Sequence, residues 1–328
     1  MKIFILCTLF SAAAWAQGPK FTSLSANFNQ FVKEGAGADF ETQLMSWQSN
    51  IESKFPQVYL QVFADGNVTQ LEAKRRAAAK LAFPFIFSHV QEIQEQFRIF
   101  DQDGRAVVES LTKKYPEADL SDVQVIGLPS LDNFNGKVIT VDGHPYVLFG
   151  MDMIAHIIAQ PDFMPGAILL NKTAVIVAHE FSHALHAKLS DFSTDDTTQT
   201  PLLGPLWQEG LAQVNSQMLV PGTSLDYVYM EKVLAEKCTP DHLKNWAKIY
   251  QEDMKLNTED TVVAAYAKWF LMRPTALAAF GVYRAGYCLG YNVILLGLRQ
   301  HTMSEILKMS RLEAYQFEQK ALVEMSQP

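Results

Sequence analysis

The chain has 328 residues, of which 48% are hydrophobic and 19% are charged, a balance typical of a globular protein and not of a disordered one. Its formal net charge of −8 argues against a nucleic-acid-binding protein, because such proteins neutralise phosphates with clustered Lys and Arg. The densest basic stretch, Lys74-Arg75-Arg76, lies in a helical pattern, and we expect it to form a solvated helix face.

Residues 1–16 have the pattern of a secretory signal peptide. Lys2 precedes an apolar run over residues 3–10, and residues 14–16, Ala-Trp-Ala, match a small-x-small cleavage motif. The apolar run is shorter than the roughly 20 residues that a membrane-spanning helix needs, so an uncleaved anchor is the weaker alternative. We therefore expect cleavage before Gln17, a secreted or periplasmic protein, and no stable membrane insertion after cleavage.

Residues 17–120 have the periodicity of a helical N-terminal region. Apolar residues recur at spacings of three and four in stretches such as FNQFVKEG and ETQLMSWQSNIESKF. The stretch at 101–104, Asp-Gln-Asp-Gly, resembles the start of a calcium loop, but the sixth position, where an EF-hand has Gly, is Ala106. We predict a turn between two helices there. No motif in this region points to a function.

The pattern changes over residues 121–150. Short β-branched and aromatic runs, DVQVIGLPS, GKVITVDG and PYVLFG, alternate with Gly, Pro, Asn and Asp, which predicts a small antiparallel sheet. Helical patterns follow at 171–189, at 205–220 and through a C-terminal subdomain at 225–328. The expected fold class is therefore α+β and helix-dominated, with a core at 121–328.

The helix predicted at 171–189 contains His179-Glu180-Phe181-Ser182-His183, an H-E-x-x-H motif. At 3.6 residues per turn, His179 and His183 project from one face and can bind the same ion. Glu180 is angled off that face, so it can take a proton from a zinc-bound water without binding the metal. The motif thus predicts two zinc ligands and a general base.

A catalytic zinc usually has a third protein ligand. His186 is too far along the helix from His179 to share an ion with both histidines, and a metzincin would need Gly at 186 and His at 189, where this chain has His186 and Leu189. The acidic residues of the following polar loop are expected to be solvated: Asp191, Asp195 and Asp196. Glu209, on the next predicted helix, remains as the expected third ligand of a single zinc ion.

The motifs H-E-F-S-H at 179–183 and W-Q-E-G-L-A at 207–212 together resemble the gluzincin pattern. They are particularly similar to an uncharacterised bacterial family of predicted zinc-dependent proteases. The resemblance implies a zincin-like core and makes Glu209 the third ligand. Thermolysin-like gluzincins have, four residues after that Glu, an Asp that supports a zinc-binding His. Here the position is Gln213, so the supporting carboxylate is expected from Asp191 or Asp195.

Peptide hydrolysis also needs a donor to the developing oxyanion. The segment FGVYRAGYCLGYNVILLGL offers four candidates, of which we favour Tyr287, followed by Arg284; the others are Tyr283 and Tyr291. Gly286 and Gly290 lie four residues apart in this segment, which favours close packing of a helix against another backbone. Cys238 and Cys288 form either a disulfide, as an exported setting permits, or two separate buried thiols.

These features predict an exported zinc metallopeptidase that acts on peptides or proteins, with Glu180, Tyr287 and Arg284 in the catalytic set. One alternative is a zinc hydrolase acting on a non-peptide carbonyl substrate, because a zinc ion with a Glu base polarises any carbonyl group. A second alternative is a non-catalytic envelope binding protein in which zinc only braces two helices. The oligomeric state cannot be predicted.

Overall fold

The computed structural model describes residues 18–160, 173–192, 202–256 and 258–327. The predicted signal peptide with its cleavage site, and also Asp195 and Asp196, lie outside these ranges. Within the ranges, helices account for most of the chain and a single four-stranded sheet is present. No helix in this part of the chain is both long enough and apolar enough to cross a membrane.

The sheet is mixed and not antiparallel. Its strands are β1 (Lys20–Ser23), β2 (Gln124–Leu128), β3 (Gly136–Val141) and β4 (His144–Gly150), in the order β1-β2-β4-β3. The β3 and β4 strands pair antiparallel, whereas β1 and β4 both run parallel to β2. The predicted antiparallel sheet is thus correct only for one hairpin, and one strand comes from the region that the sequence predicts as helical.

The two central strands, β2 and β4, are largely buried, as parallel strands usually are. Most residues of β2 and β4 are buried, as is typical of strands covered on both faces, while β3 at the sheet edge is partly exposed. Asp142 and Gly143 both have positive φ, at 51° and 80°, which is the geometry of a tight hairpin turn between β3 and β4. The edge strand is therefore joined to its neighbour by a short turn.

Helices fill most of the N-terminal half and pack around an aromatic core. They are α1 (Ser25–Gly35), α2 (Phe40–Asn50), a 3₁₀ turn (Glu52–Lys54), α3 (Pro56–Ala64), α4 (Val68–Ser88), α5 (Val90–Ile99), a π-helical turn (Phe100–Gly104) and α6 (Arg105–Lys114). Trp47 is buried and contacts Phe31 edge to face, with ring centroids 5.6 Å apart. The calcium-like stretch lies in this π-helical segment, and the backbone stays helical from α5 through it into α6, so the predicted turn between two helices is wrong.

The basic stretch of α4 is not a simple solvated face. Arg75 is buried, and its guanidinium pairs with Glu52 at 2.6 Å and with Glu72. Arg76 instead lies nearer the surface and pairs with Glu41. The prediction is therefore wrong for Arg75, because a carboxylate 23 residues earlier in the chain compensates its burial.

The remaining helices build the second half. They are α7 (Met151–Ala159), α8 (Thr173–Leu189), α9 (Leu203–Leu219), α10 (Leu225–Val228), α11 (Lys232–Lys237), α12 (Pro240–Asp253), α13 (Glu259–Phe270), α14 (Pro274–Phe280), α15 (Ala285–Gly297), α16 (Met303–Lys308) and α17 (Arg311–Ser326). Trp207, Trp246 and Trp269 are buried in the core. Cys238 and Cys288 form a disulfide that joins the end of α11 to α15.

Candidate metal centre and cleft

Helix α8 carries both histidines of the H-E-x-x-H motif. Its surroundings are largely apolar, since Val175, Ile176 and Phe181 are all buried. Because His179 and His183 lie one turn apart, their imidazoles converge, and the two Nε2 atoms are 3.3 Å apart. Two ligand nitrogens are thus brought together by a helix that is held in the core.

Helix α9 brings Glu209 to the same point. Its carboxylate Oε2 lies 3.1 Å from His179 Nε2 and 3.8 Å from His183 Nε2. A second contact between the two helices fixes their register, because the Asn215 side-chain amide donates to Ser182 Oγ at 2.8 Å. The third ligand expected from the sequence therefore faces both histidines.

The position of α9 depends on two glycines. Gly210 and Gly290 meet where α9 crosses α15, so that a Cβ built on Gly210 would lie 2.8 Å from the Cα of Gly290 and overlap its carbonyl group. Real Cβ atoms do not approach a backbone so closely. Backbone contact between α9 and α15 is thus possible only without side chains at this crossing.

The atoms that converge here match the donor set of zinc. The ligand atoms of His179, His183 and Glu209 all lie within 4.8 Å of one another. Glu209 Oε2 is buried with no hydrogen-bond donor aligned to it, although buried polar atoms normally have such a partner. Two imidazole nitrogens and one carboxylate oxygen are the protein ligands of many catalytic zinc sites, and an ion between them would satisfy all three atoms.

The charges of this cluster are strongly coupled. Burial raises the pKa of Glu209, but the adjacent His179 and then His183 outweigh burial and lower the pKa to about 2. Burial is the main reason that the pKa of His183 is lowered to about 4. At neutral pH, Glu209 is thus ionised and His183 is neutral, which are the forms that bind a metal ion.

Glu180 lies beside the cluster without belonging to it. Burial raises the pKa of its carboxyl group to about 7, against the smaller opposing effect of His179. Its side chain packs on the edge strand at Gly136, where a Cβ would lie 2.6 Å from Glu180 Cγ. The absence of a side chain at Gly136 therefore leaves space for the Glu180 side chain, and only the three-dimensional structure shows this contact.

Two of the four predicted donor candidates reach this site. The Tyr287 ring is nearly parallel to the His179 ring, with ring centroids 6.2 Å apart, and the Tyr287 hydroxyl is near enough to the Glu209 carboxylate to help lower its pKa. The Arg284 guanidinium lies over the Tyr287 ring at 5.4 Å. The Tyr291 hydroxyl instead donates to Gln217, and neither Tyr291 nor Tyr283 lines the cleft.

The cleft has a volume of about 510 Å³ and opens onto the cluster. Besides the residues already described, its wall includes Gln208 of the W-Q-E-G-L-A motif and residues that no sequence motif indicates: Asn135, Lys137, Val138, Pro205, Met230, Tyr266 and Leu271. They come from β3 and the segment before it, from α9, from the turn after α10 and from the α13 region. Their positions depend on tertiary contacts, so the sequence offers no signal for them.

The expected supporting carboxylate does not reach the histidines from Asp191. Its Oδ1 accepts instead from the Arg311 backbone N–H, at 2.5 Å. Gln213 is fully buried with both amide atoms unpartnered in the described chain, and His179 Nδ1 is also buried without a partner. His186, which the sequence excludes as a third ligand, packs on Phe192 with ring centroids 4.5 Å apart.

The chain matches no protein-family model, no curated protein and no solved structure. The class to which the cluster and the cleft belong therefore has to be argued from their own geometry.

Proposed function

We propose that the chain is an exported, zinc-dependent peptidase with a zincin-like core. The observation that carries the proposal is the convergence of His179 Nε2, His183 Nε2 and Glu209 Oε2 within 4.8 Å, with Glu180 beside them in one cleft. A zinc ion held by these three residues would supply a Lewis acid that polarises a carbonyl group and lowers the pKa of water. The edge strand β3, which contacts α8, supports the zincin-like core.

Glu180 is the proposed general base. A pKa of about 7 leaves its carboxyl group partly ionised at neutral pH, and the efficiency of proton transfer is greatest when the pKa is near the working pH. Its contact with Gly136 holds the carboxyl group at the side of the cleft, away from the face that carries the histidines. Glu180 can thus accept a proton and return it to the leaving amine.

Tyr287 is the proposed donor to the developing oxyanion. Burial raises the pKa of its hydroxyl well above the usual value of 10, so the group stays protonated and can donate a hydrogen bond. Its effect on the pKa of Glu209 indicates that the hydroxyl lies near that carboxylate, and so near the proposed ion. A fixed donor of this kind stabilises negative charge that develops on a carbonyl oxygen.

Glu180→Gln tests this assignment. The variant removes the base and keeps the shape of the side chain, so we expect zinc to bind as in the parent while hydrolysis falls by about 10²- to 10⁴-fold. Zinc content is measured by metal analysis and hydrolysis on a mixed peptide library. The exposed Glu236→Gln on α11 is the matched control and should retain both properties.

Two results would contradict the proposal. If Glu180→Gln hydrolyses peptides as fast as the parent, Glu180 is not the base. If the zinc-loaded parent cleaves no peptide in the library, a zinc-braced binding protein or a hydrolase of other carbonyl compounds takes its place.

A further inference from the structure

Arg284 places a positive charge at the wall of the cleft. Among the described residues, its guanidinium forms no salt bridge within 4.0 Å, and its influence on Glu180 and Glu231 is through charge alone, without a hydrogen bond. The guanidinium lies over the Tyr287 ring, 5.4 Å from the ring centroid. Arg284 is half-buried and lines the cleft, so its planar set of N–H donors can meet a molecule that binds there.

The backbone of Arg284 is held rigidly. Its φ of 55° is uncommon for a residue with a side chain, and such strain persists only where the surroundings enforce it. The Tyr283 backbone N–H donates to the buried Glu231 carboxylate at 3.2 Å, and Lys237 Nζ donates to the Gly281 carbonyl at 3.0 Å. The disulfide to Cys288 anchors the start of α15 from the other side.

The remaining charges of the cleft leave Arg284 free to act on substrate. Glu209 faces the two histidines, and Glu180 is assigned to proton transfer. Lys137 is an exposed residue of the edge strand. Arg284 is thus a fixed cation without an assigned partner, and its fork of donors matches the two oxygens of a carboxylate.

We propose that Arg284 binds a carboxylate of the substrate, so that the site prefers peptides with a free carboxylate close to the scissile bond. This inference rests on the proposed peptidase function and separates the roles of two neighbours. Tyr287 acts on the carbonyl oxygen of the scissile bond, while Arg284 anchors the substrate. The carboxylate can be the C-terminus of the peptide or an Asp or Glu side chain.

Three peptides that differ only in where they carry a carboxylate distinguish the sources. The first ends in a free carboxylate, the second in an amide, and the third is an amide that carries a Glu next to the scissile bond. We expect the zinc-loaded parent to prefer the first or the third over the second by about 10- to 100-fold in kcat/KM, as for a charge-assisted hydrogen bond in a cleft. The preferred peptide identifies the carboxylate.

Arg284→Gln should remove that preference, mainly by raising KM for the preferred peptide until its kcat/KM approaches that of the plain amide. Arg284→Lys should retain part of the preference, because it keeps the charge but loses the fork of donors. Arg299→Gln, at an exposed arginine outside the cleft, is the control and should behave as the parent. An equal fall in kcat for all three peptides in Arg284→Gln would overturn the inference and make Arg284 an oxyanion donor.

Binding to zinc-loaded Glu180→Gln separates this inference from the proposed function. Calorimetry on the same peptides does not need turnover. A carboxylate preference in binding that Arg284→Gln abolishes supports the anchor even if the parent hydrolyses nothing, in which case only the peptidase proposal fails. Equal affinity for the acid and both amides overturns the anchor, whatever the activity.

Discussion

Gly210→Ala should disturb the metal cluster through helix packing alone. Alanine favours a helix by about 1 kcal/mol over glycine. Overpacking a tight contact costs about 1–3 kcal/mol, and here the overlap is with the Gly290 backbone, which cannot rotate away. Because the backbone cannot move aside, we take the upper end of that cost, about 3 kcal/mol, and subtract the gain of about 1 kcal/mol. The expected net loss is about 2 kcal/mol in the free energy of unfolding, measured by urea denaturation in the presence of a zinc chelator.

The same substitution should weaken zinc binding. Glu209 directly precedes Gly210, so separating α9 from α15 moves the carboxylate relative to His179 and His183. We expect zinc affinity to fall by about 10-fold, which is the lower end of the loss seen when groups that orient metal ligands are removed. Competition with a chromogenic chelator measures the affinity.

Gly297→Ala is the matched control on α15. Its Cβ would lie 3.2 Å from the Ile306 side-chain methyl, which can move, so the variant should be as stable as the parent or more stable by up to about 1 kcal/mol. If Gly210→Ala equals Gly297→Ala in stability and in zinc affinity, the glycine crossing does not position Glu209.

Two further predictions concern stability. Glu318 is fully buried, and both of its carboxylate oxygens are unpartnered in the described chain. Burial raises the pKa of its carboxyl group well above 4.5, so the folded protein favours the protonated form. The stability of the protein is therefore unaffected by Glu318 below the unfolded-state pKa and falls by about 1.4 kcal/mol per pH unit as the pH rises from there towards the folded-state pKa. Glu318→Gln should match the parent near pH 4 and exceed it at pH 8 in urea denaturation; a constant difference at both pH values would refute this. Replacing Cys238 and Cys288 together by Ser should lower stability by about 4 kcal/mol, the chain-entropy value for a separation of 50 residues, and make the denaturation midpoint insensitive to reductant. A reductant effect of the same size in the double variant would contradict that account.

The parts of the site that the sequence predicts are those encoded locally. Helical periodicity alone places His179 and His183 on one face, and their Nε2 atoms do converge. The spacing of Gly286 and Gly290 indicates a close helix contact, and Gly290 does meet the backbone of another helix. Gly286 packs instead on the Phe270 side chain, which a spacing of four cannot distinguish from backbone contact.

The features that the sequence does not predict depend on distant partners. Strand β1 has only four residues and pairs with β2, about a hundred residues later, so no local pattern marks it as part of the sheet. Arg75 looks like a surface cation until Glu52 is known to lie beside it. The antiparallel prediction fails for the same reason, because turn residues show where strands end but not which strands pair.

The cleft combines a rigid metal side with a wall held in strained turns. The proposed zinc ligands come from the interiors of α8 and α9, and the Asn215–Ser182 hydrogen bond joins these two helices. The opposite wall presents Met230 and Arg284, which have φ values of 53° and 55°. The hydrogen bond from Tyr283 to Glu231 joins the two turns that carry them. Because helices fix the proposed chemistry while these turns fix what can enter, changes in the turns should alter substrate choice before they alter metal binding.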